Sequence, residues 1–219
     1  MSVVALQNMI DHQLRPYKVS SERVLSAFAA VDRENFLPLG YRAVAYTDVQ
    51  LPIGDGQTML SPQQQAYVLQ TLAIEPTDRV LEIGTGLGYF TALLAQFAAS
   101  VYSVDANSEF IARAHSNLAK QAVNNVSLLD EDVLQDWQKV ADQGPFDVIV
   151  SNGAFYTLPT FLLDSLHRKG RLFAIIGKAP TMSASVFKRQ NSDHWQEHSL
   201  FETAVNYIPN LIPTETFVF

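Results

Sequence analysis

Cysteine is absent from the 219-residue chain, which removes disulfides, thiolate nucleophiles and thiolate zinc sites from consideration. Positive charge is scarce: 15 Lys and Arg stand against 22 Asp and Glu, a formal net charge of −7. With no basic face to draw in phosphate backbones, no nucleic acid partner is expected. Long apolar runs are missing too. No window approaches the roughly 18 apolar residues that a membrane span needs, so no membrane partner is expected. The opening segment MSVVALQNMIDHQLRPYKV has neither a basic leader nor an unbroken apolar stretch. With Val4, Met9, Ile10 and Leu14 apolar among polar neighbours, it is predicted to be an amphipathic helix and not a signal peptide. A cytoplasmic location is the resulting expectation. Nothing in the sequence fixes an oligomeric state.

What is present is an ordinary globular balance, 47% hydrophobic and 17% charged, in a chain long enough for one sizeable core. In residues 1 to about 60, Val24, Leu25, Phe28 and Val31 recur at helical spacing. Pro38, Gly40, Pro52, Gly54 and Gly56 then break the pattern, which predicts helices followed by an irregular loop, a candidate lid or cap. From Pro62 the pattern alternates. A helix to Leu72, a strand at 79–83, a helix at 89–97, a strand at 100–105 and a helix at 108–122 are predicted. Strands near 126–130, 146–151 and 171–176 follow, with a helix at about 159–168 between the last two. Such alternation predicts an α/β fold, a doubly wound, mostly parallel sheet with helices on both faces. ASVFKRQ and HWQEHSLFETAV flank the polar NSD and predict an antiparallel hairpin at one sheet edge. Residues 1–60 are thus expected to cap a domain formed by 61–219.

The segment RVLEIGTGLGY, Arg79 to Tyr89, carries the most chemistry. An apolar strand runs into Gly84, Gly86 and Gly88, whose bare backbone lets a ligand approach closely, and a helix follows at once. Asp105 ends the next strand, 21 residues after Gly84, the placement of a carboxylate that accepts both hydroxyls of a ribose. The spacing is GxGxG and not the GxGxxG of dinucleotide enzymes, which favours S-adenosylmethionine over NAD. Ligands of open α/β sheets sit at the carboxyl ends of the strands. Those ends are Glu82 to Gly86, Asp105, Asp130 to Asp132, and Ser151 to Ala154, all polar or small, and they predict one composite site.

The run RENFLPLGYRAVAYTDVQLPIGDGQT, Arg33 to Thr58, followed by LEIGTGLGY, closely resembles the protein-L-isoaspartate O-methyltransferases. The resemblance covers the chain from about residue 8 to the IPNL near 211. It implies a Rossmann-like class I methyltransferase fold, S-adenosyl-L-methionine as donor, S-adenosyl-L-homocysteine as product, and isoaspartyl peptides or proteins as acceptor. It also implies that Gly84, Thr85, Gly86 and Gly88 surround the methionine part of the donor. Asp105 matches the ribose-binding acid, and Asp132 the aspartate of a GDG segment near the adenine amino group. Glu131 and Val133 replace both of that segment's glycines. In the loop the family reads GQT, an aliphatic residue, a serine and one more residue before proline. This chain reads Gly56, Gln57, Thr58, Met59, Leu60, Ser61, Pro62, so Leu60 stands at the family's serine position and Ser61 falls one residue late.

Methyl transfer from a sulfonium needs donor carbon and acceptor oxygen about 3 to 3.5 Å apart and in line, so positioning is the main catalyst. A carboxylate acceptor titrates near about pH 4 and needs no general base. That suits five histidines, His12, His115, His167, His194 and His198, none of which adjoins a predicted strand end. His194 and His198 lack a third ligand, so no metal is expected. Thr58 and Ser61 are the catalytic candidates. Ser61 before Pro62 reads equally as a helix cap, Thr58 as a loop residue, and Asp48 as an acceptor of nearby N–H groups. Glu82 either orients the glycine turn or binds the donor's ammonium. Phe155 and Tyr156 either line an acceptor pocket or belong to the core. A different acceptor, a binder of S-adenosylmethionine without turnover, and a nicotinamide dehydrogenase remain as alternatives.

Overall fold

The computed structural model describes residues 3–191 and 194–208. Helix α1 (Val3–Met9) continues through a π turn at Ile10–Leu14, and α2 (Glu22–Ala30) follows. Leu6, Met9, Ile10 and Leu14 point inward, whereas Val4 is exposed. The expected apolar stripe therefore starts at Leu6, because Val4 falls outside the i, i+3, i+4 row that Leu6, Met9 and Ile10 define. Ser21 caps α2 by accepting from the Val24 N–H. Its buried face is Val24, Leu25, Ala27 and Phe28.

The expected irregular loop contains a two-stranded hairpin, β1 (Leu51–Gly54) and β2 (Gln57–Met59), with Leu51 opposite Met59. Asp55 and Gly56 form its tip with φ of +49° and +67°, the positive values that two-residue hairpin turns of the primed types require. Helix α3 (Pro62–Leu72) starts behind it at a capping box formed by Ser61 and Gln64.

The main sheet contains β3 (Arg79–Ile83), β4 (Ser100–Asp105), β5 (Val126–Asp130), β6 (Phe146–Phe155), β7 (Leu166–Lys178), β8 (Thr181–Arg189) and β9 (Trp195–Thr203). Their order is β5-β4-β3-β6-β7-β8-β9, parallel through β7 and antiparallel at β7-β8 and β8-β9. The C-terminal hairpin is thus as expected, although Ser192 and Asp193 of its NSD turn lie outside the described residues. Helices α4 (Tyr89–Ala95) and α5 (Ser108–Lys120) each end two residues short of expectation. A short helix that the sequence did not suggest, α6 (Trp137–Ala141), precedes β6. The helix expected at 159–168 is only α7 (Thr160–Asp164), because Leu166 already pairs with Phe146 and begins a longer β7.

Side-chain alternation along the strands divides the core. Val80, Val101, Val148, Val150, Phe173 and Ile175 face α1 to α4 through one apolar cluster. Leu81, Ile83, Ile149, Leu172 and Ala174 face the opposite side, packing with Val140 of α6 and Leu162 of α7. The strands are covered on both faces, which is why they read as continuous apolar runs. No described helix is long and apolar enough to cross a membrane.

Candidate cofactor and acceptor site

At the carboxyl ends of β3, β4 and β6 a crevice is divided into three small chambers that share lining residues. The first, of about 80 Å³, lies between the β1-β2 hairpin and residues Gly84, Gly86, Asp105, Asn107, Phe110, Asn152 and Tyr207. The second, of about 40 Å³, runs inward past Thr58, Leu60, Gln65, Thr85 and Tyr89. The third, of about 30 Å³, extends from Asp105 to Glu131, Asp132, Val133 and Ile208. All four strand ends expected to converge contribute to this crevice.

The glycines divide the work. Gly84, at φ +90°, donates its N–H to the Val104 carbonyl at 2.8 Å. Gly86 holds φ +53°, and an added Cβ would stand 2.8 Å from Ile53 Cδ1, so the tip of that side chain would have to shift. Gly88 behaves differently from what the resemblance implied. It lines none of the chambers, and a Cβ there would lie 3.1 Å from Ala114 Cβ and 3.3 Å from Ala114 Cα. Its bareness lets α4 and α5 approach each other. Thr85 is buried, its hydroxyl 2.6 Å from that of Ser103.

Asp105 lines the first and third chambers. Its Oδ2 accepts from the Gly86 N–H at 2.9 Å and its Oδ1 from the Asn107 N–H at 3.0 Å. A carboxylate offers about four acceptor positions, so each oxygen has capacity for one more donor. Burial pushes its pKa above the ordinary aspartate value, and the two backbone donors oppose that push. Asp132 accepts from the Leu134 N–H at 2.9 Å and the Gln135 side chain at 3.0 Å, stabilising the turn after β5. Of the residues that replace the family's glycines there, Val133 is buried in the core and Glu131 accepts from Lys139 at 2.8 Å.

Glu82 is wholly buried and lines none of the chambers. One oxygen accepts from Thr91 at 2.5 Å and Ser103 at 2.7 Å, the other from the Asn152 amide at 2.8 Å. That same amide donates to the Gly84 carbonyl at 2.9 Å. Glu82 is thereby linked to the glycine turn through Asn152, in keeping with the first of the two roles the sequence left open. With its nitrogen fixed by two acceptors, Asn152 leaves its Oδ1 buried without a partner, in a residue that lines the first and second chambers. Burial pushes the Glu82 carboxyl up to about 7, against the pull of its three donors. Because this lies above the ordinary 4.5, its contribution to stability is complete below about pH 4.5 and is lost as pH rises through about 7. Over that window wild type should lose about 3 kcal/mol relative to Glu82→Gln. Urea unfolding of both proteins at pH 5 and pH 8 checks this, and parallel stabilities would contradict it.

The loop candidates separate. Thr58 lines the first and second chambers. Ser61 does not reach them: its hydroxyl accepts from the Gln64 N–H at 3.4 Å while its own N–H donates to Gln64 Oε1 at 3.1 Å. The cap accounts for Ser61, which lines a separate groove with Asp48, Gln63, Gln64 and Tyr67. Asp48 accepts from the Gln63 N–H at 2.9 Å, a second support for the start of α3. Phe155 is core, whereas Tyr156 stacks on Tyr207 at 4.6 Å between centroids. Ile53, Asp55, Asn107, Phe110, Tyr207 and Ile208 are wall residues that the sequence did not single out. Only the Asp-Gly tip and the Asn-Ser-Glu helix start gave a local signal for any of them. Among the described residues no three His, Asp or Glu side chains cluster as metal ligands.

The family profile described as Protein-L-isoaspartate(D-aspartate) O-methyltransferase (PCMT) matches residues 5–212. The chain belongs to this family. A protein-L-isoaspartate O-methyltransferase of Methanoculleus marisnigri is 40% identical over 171 residues, 78% of this chain and 76% of that protein. One of Gloeobacter violaceus is 41% identical over 169 residues, 77% of this chain and 81% of that protein. A solved structure described as a protein-L-isoaspartate O-methyltransferase aligns over 92% of this chain and 65% of its own at TM-score 0.79 and 25% identity. The crystal structure of a β-aspartate methyltransferase from Plasmodium falciparum with S-adenosyl-L-homocysteine aligns over 94% and 96%. Its TM-score is 0.80 at 20% identity, a likeness of fold. The sheet described above is the class I methyltransferase sheet.

Within the isoaspartate methyltransferase family, the loop is where this member departs. Leu60, at the family's serine position, is buried and lines the second chamber beside Met59, Leu87 and Phe90. The inner wall of this isoaspartate methyltransferase is consequently apolar at the point where the resemblance implies a hydroxyl.

Proposed function

We propose that this protein methylates the free carboxylate of L-isoaspartyl residues in damaged proteins, with S-adenosyl-L-methionine as donor and S-adenosyl-L-homocysteine as product. The observation that carries the proposal is Asp105, with acceptor capacity to spare, bonded to the N–H of Gly86 in a glycine turn of positive φ at the strand end. The donor set fits such a cofactor. Asp105 suits a ribose diol, the unpartnered Asn152 Oδ1 suits an ammonium group, and the Asp132–Val133 end offers a partly apolar wall to a purine. When bound, S-adenosylmethionine supplies an electrophilic methyl group on sulfur. The acceptor carboxylate forms the new O–CH₃ bond as the C–S bond breaks, and the electron pair remains on sulfur. No proton moves, so no residue has to act as a base.

The chain's part is to bind, align and exclude water. Thr58 is the hydroxyl available to the acceptor, and Asp105, Asn152 and the Gly84–Gly86 backbone fix the donor. The chambers are smaller than the roughly 300–1,000 Å³ of typical ligand sites. Hairpin β1-β2 walls the first and second of them, so residues 1–60 act as a cap that lifts to admit ligands to the domain of residues 61–219. The cytoplasm, where a cysteine-free chain loses nothing to a reducing environment, is its proposed location. Incubation with methyl-labelled donor and an isoaspartyl peptide, beside the matching aspartyl peptide, tests the proposal. Label in the first and not the second is expected; no label in the first at high enzyme concentration overturns it.

Leu60 favours a second reading in which the acceptor differs. Leu60→Ser separates the two. One hydrogen bond to a charged group is worth about 1.5–3 kcal/mol, so the restored hydroxyl should raise isoaspartyl turnover by about one to two orders of magnitude. The exchange costs about 2–5 kcal/mol of stability for the buried leucine. Unchanged turnover in a folded variant would favour the different acceptor.

A further inference from the structure

Arg33 is among the largest fully buried side chains of the described residues. Its Nη1 donates to Gln65 Oε1 at 2.9 Å and its Nη2 to the Leu60 carbonyl at 3.1 Å, while its guanidinium carbon lies 5.0 Å from the centre of the Tyr89 ring. Its Nε has no hydrogen-bond partner. Gln65, Leu60 and Tyr89 are all walls of the second chamber. Among the described residues no carboxylate reaches the guanidinium. That of Asp48 acts on it only through space and accepts the Gln63 N–H. Burial pulls the Arg33 pKa below its usual value, yet a guanidinium stays protonated in a protein.

An isolated buried cation is costly, and replacing it with an apolar side chain of similar size is often neutral or stabilising. A charge kept without a counterion therefore points to a ligand that supplies one. The three groups it touches carry no negative charge of their own and all line the chamber, so its field reaches the chamber through them with little screening.

We propose that Arg33 is a positioning and specificity residue that holds three walls of the second chamber and makes that chamber select the carboxylate of a bound ligand. Two carboxylates are available under the function proposed above, on which this inference rests: that of the isoaspartyl acceptor and that of the donor's methionine part. Arg33 acts through Leu60, Gln65 and Tyr89 and touches neither ligand itself. With an apolar residue at the family's serine position, the selectivity that a hydroxyl would give by contact is left to this field.

The test compares Arg33→Met, Arg33→Lys and Gln65→Glu with wild type. Gln65→Glu keeps the arginine but cancels its charge with a partner. Calorimetry is done with two ligand pairs, each differing by one carboxylate. One is S-adenosylhomocysteine and its decarboxylated analogue; the other is an isoaspartyl peptide and its isoasparaginyl amide, titrated into S-adenosylhomocysteine-loaded protein. Arg33→Met and Gln65→Glu should weaken the charged member of one pair by about tenfold and its neutral partner by less than about twofold. Arg33→Lys should recover most of the loss. The pair that responds tells which carboxylate occupies the chamber. Equal weakening of both members, or no weakening of either, would overturn the proposal. If Arg33→Met does not fold, unchanged discrimination in Gln65→Glu overturns it alone. Wild type that neither binds S-adenosylhomocysteine nor methylates the peptide would instead defeat the function on which the inference rests.

Discussion

Asp105→Ala is expected to weaken S-adenosylhomocysteine binding by about two orders of magnitude or more. The carboxylate has two jobs that no neighbour can take over. Each oxygen accepts one backbone N–H, from Gly86 or Asn107, and so sets the turn. Each also retains capacity for one ribose hydroxyl. Hydrogen bonds to a charged group contribute about 1.5–3 kcal/mol apiece, and a factor of ten corresponds to about 1.4 kcal/mol, so losing both diol bonds alone accounts for the factor. Asp105→Asn is the finer probe. It preserves size, but its amide nitrogen must meet either the Gly86 or the Asn107 N–H, donor against donor, and it should bind less tightly than wild type without matching the loss in the alanine variant. Calorimetric titration measures both. Wild-type affinity in a folded alanine variant would show that the residue serves only the turn.

Gly88→Val should have its large effect on stability. The residue sits at φ +84°, where a β-branched side chain is strained by about 1–2 kcal/mol. Its first side-chain atom would lie 3.1–3.3 Å from both the Cα and Cβ of Ala114. Neither of those can rotate away, so α4 and α5 have to separate, and overpacking of this kind costs about 1–3 kcal/mol. Together these predict a loss of about 2–5 kcal/mol, or a fall of about 5–15 °C in Tm for a chain of this size. A Tm within two or three degrees of wild type, coupled with lost S-adenosylhomocysteine affinity, would return Gly88 to the role that family resemblance gave it.

The contrast between Gly86 and Gly88 illustrates what sequence could and could not supply. Strand-end positions were legible because Val80, Leu81, Ile83 and the later apolar runs are buried on both faces, and a continuous apolar run between helices has few other outcomes in a chain of this length. Asp105 was legible for the same reason, its distance from Gly84 being one βα unit. Identical glycines in one motif, however, look out on different neighbours. Ile53 comes from a hairpin 33 residues before Gly86 and Ala114 from a helix 26 residues after Gly88, and no local pattern encodes either encounter. The hairpin was passed over because Pro52 and three- to four-residue strands read as interruption, although Asp55-Gly56 is itself a strong hairpin dipeptide. Ser61 was ambiguous for a local reason and was resolved by a local one, the reciprocal bonds with Gln64. Arg33 and Asn152 owe their roles to partners far along the chain, Gln65 and Leu60 for the first, Glu82 and Gly84 for the second. Buried polar networks of this kind depend on tertiary closure, which periodicity does not report.

The most direct measurement is a crystal structure of the protein with S-adenosyl-L-homocysteine. It should place both ribose hydroxyls within about 3.2 Å of the Asp105 carboxylate, the amino group against Asn152 Oδ1, the purine beside Asp132 and Val133, and the β1-β2 hairpin displaced outward from Gly86. A nucleoside bound elsewhere, or bound in the crevice with the Asp105 side chain out of contact, would contradict the account at its centre.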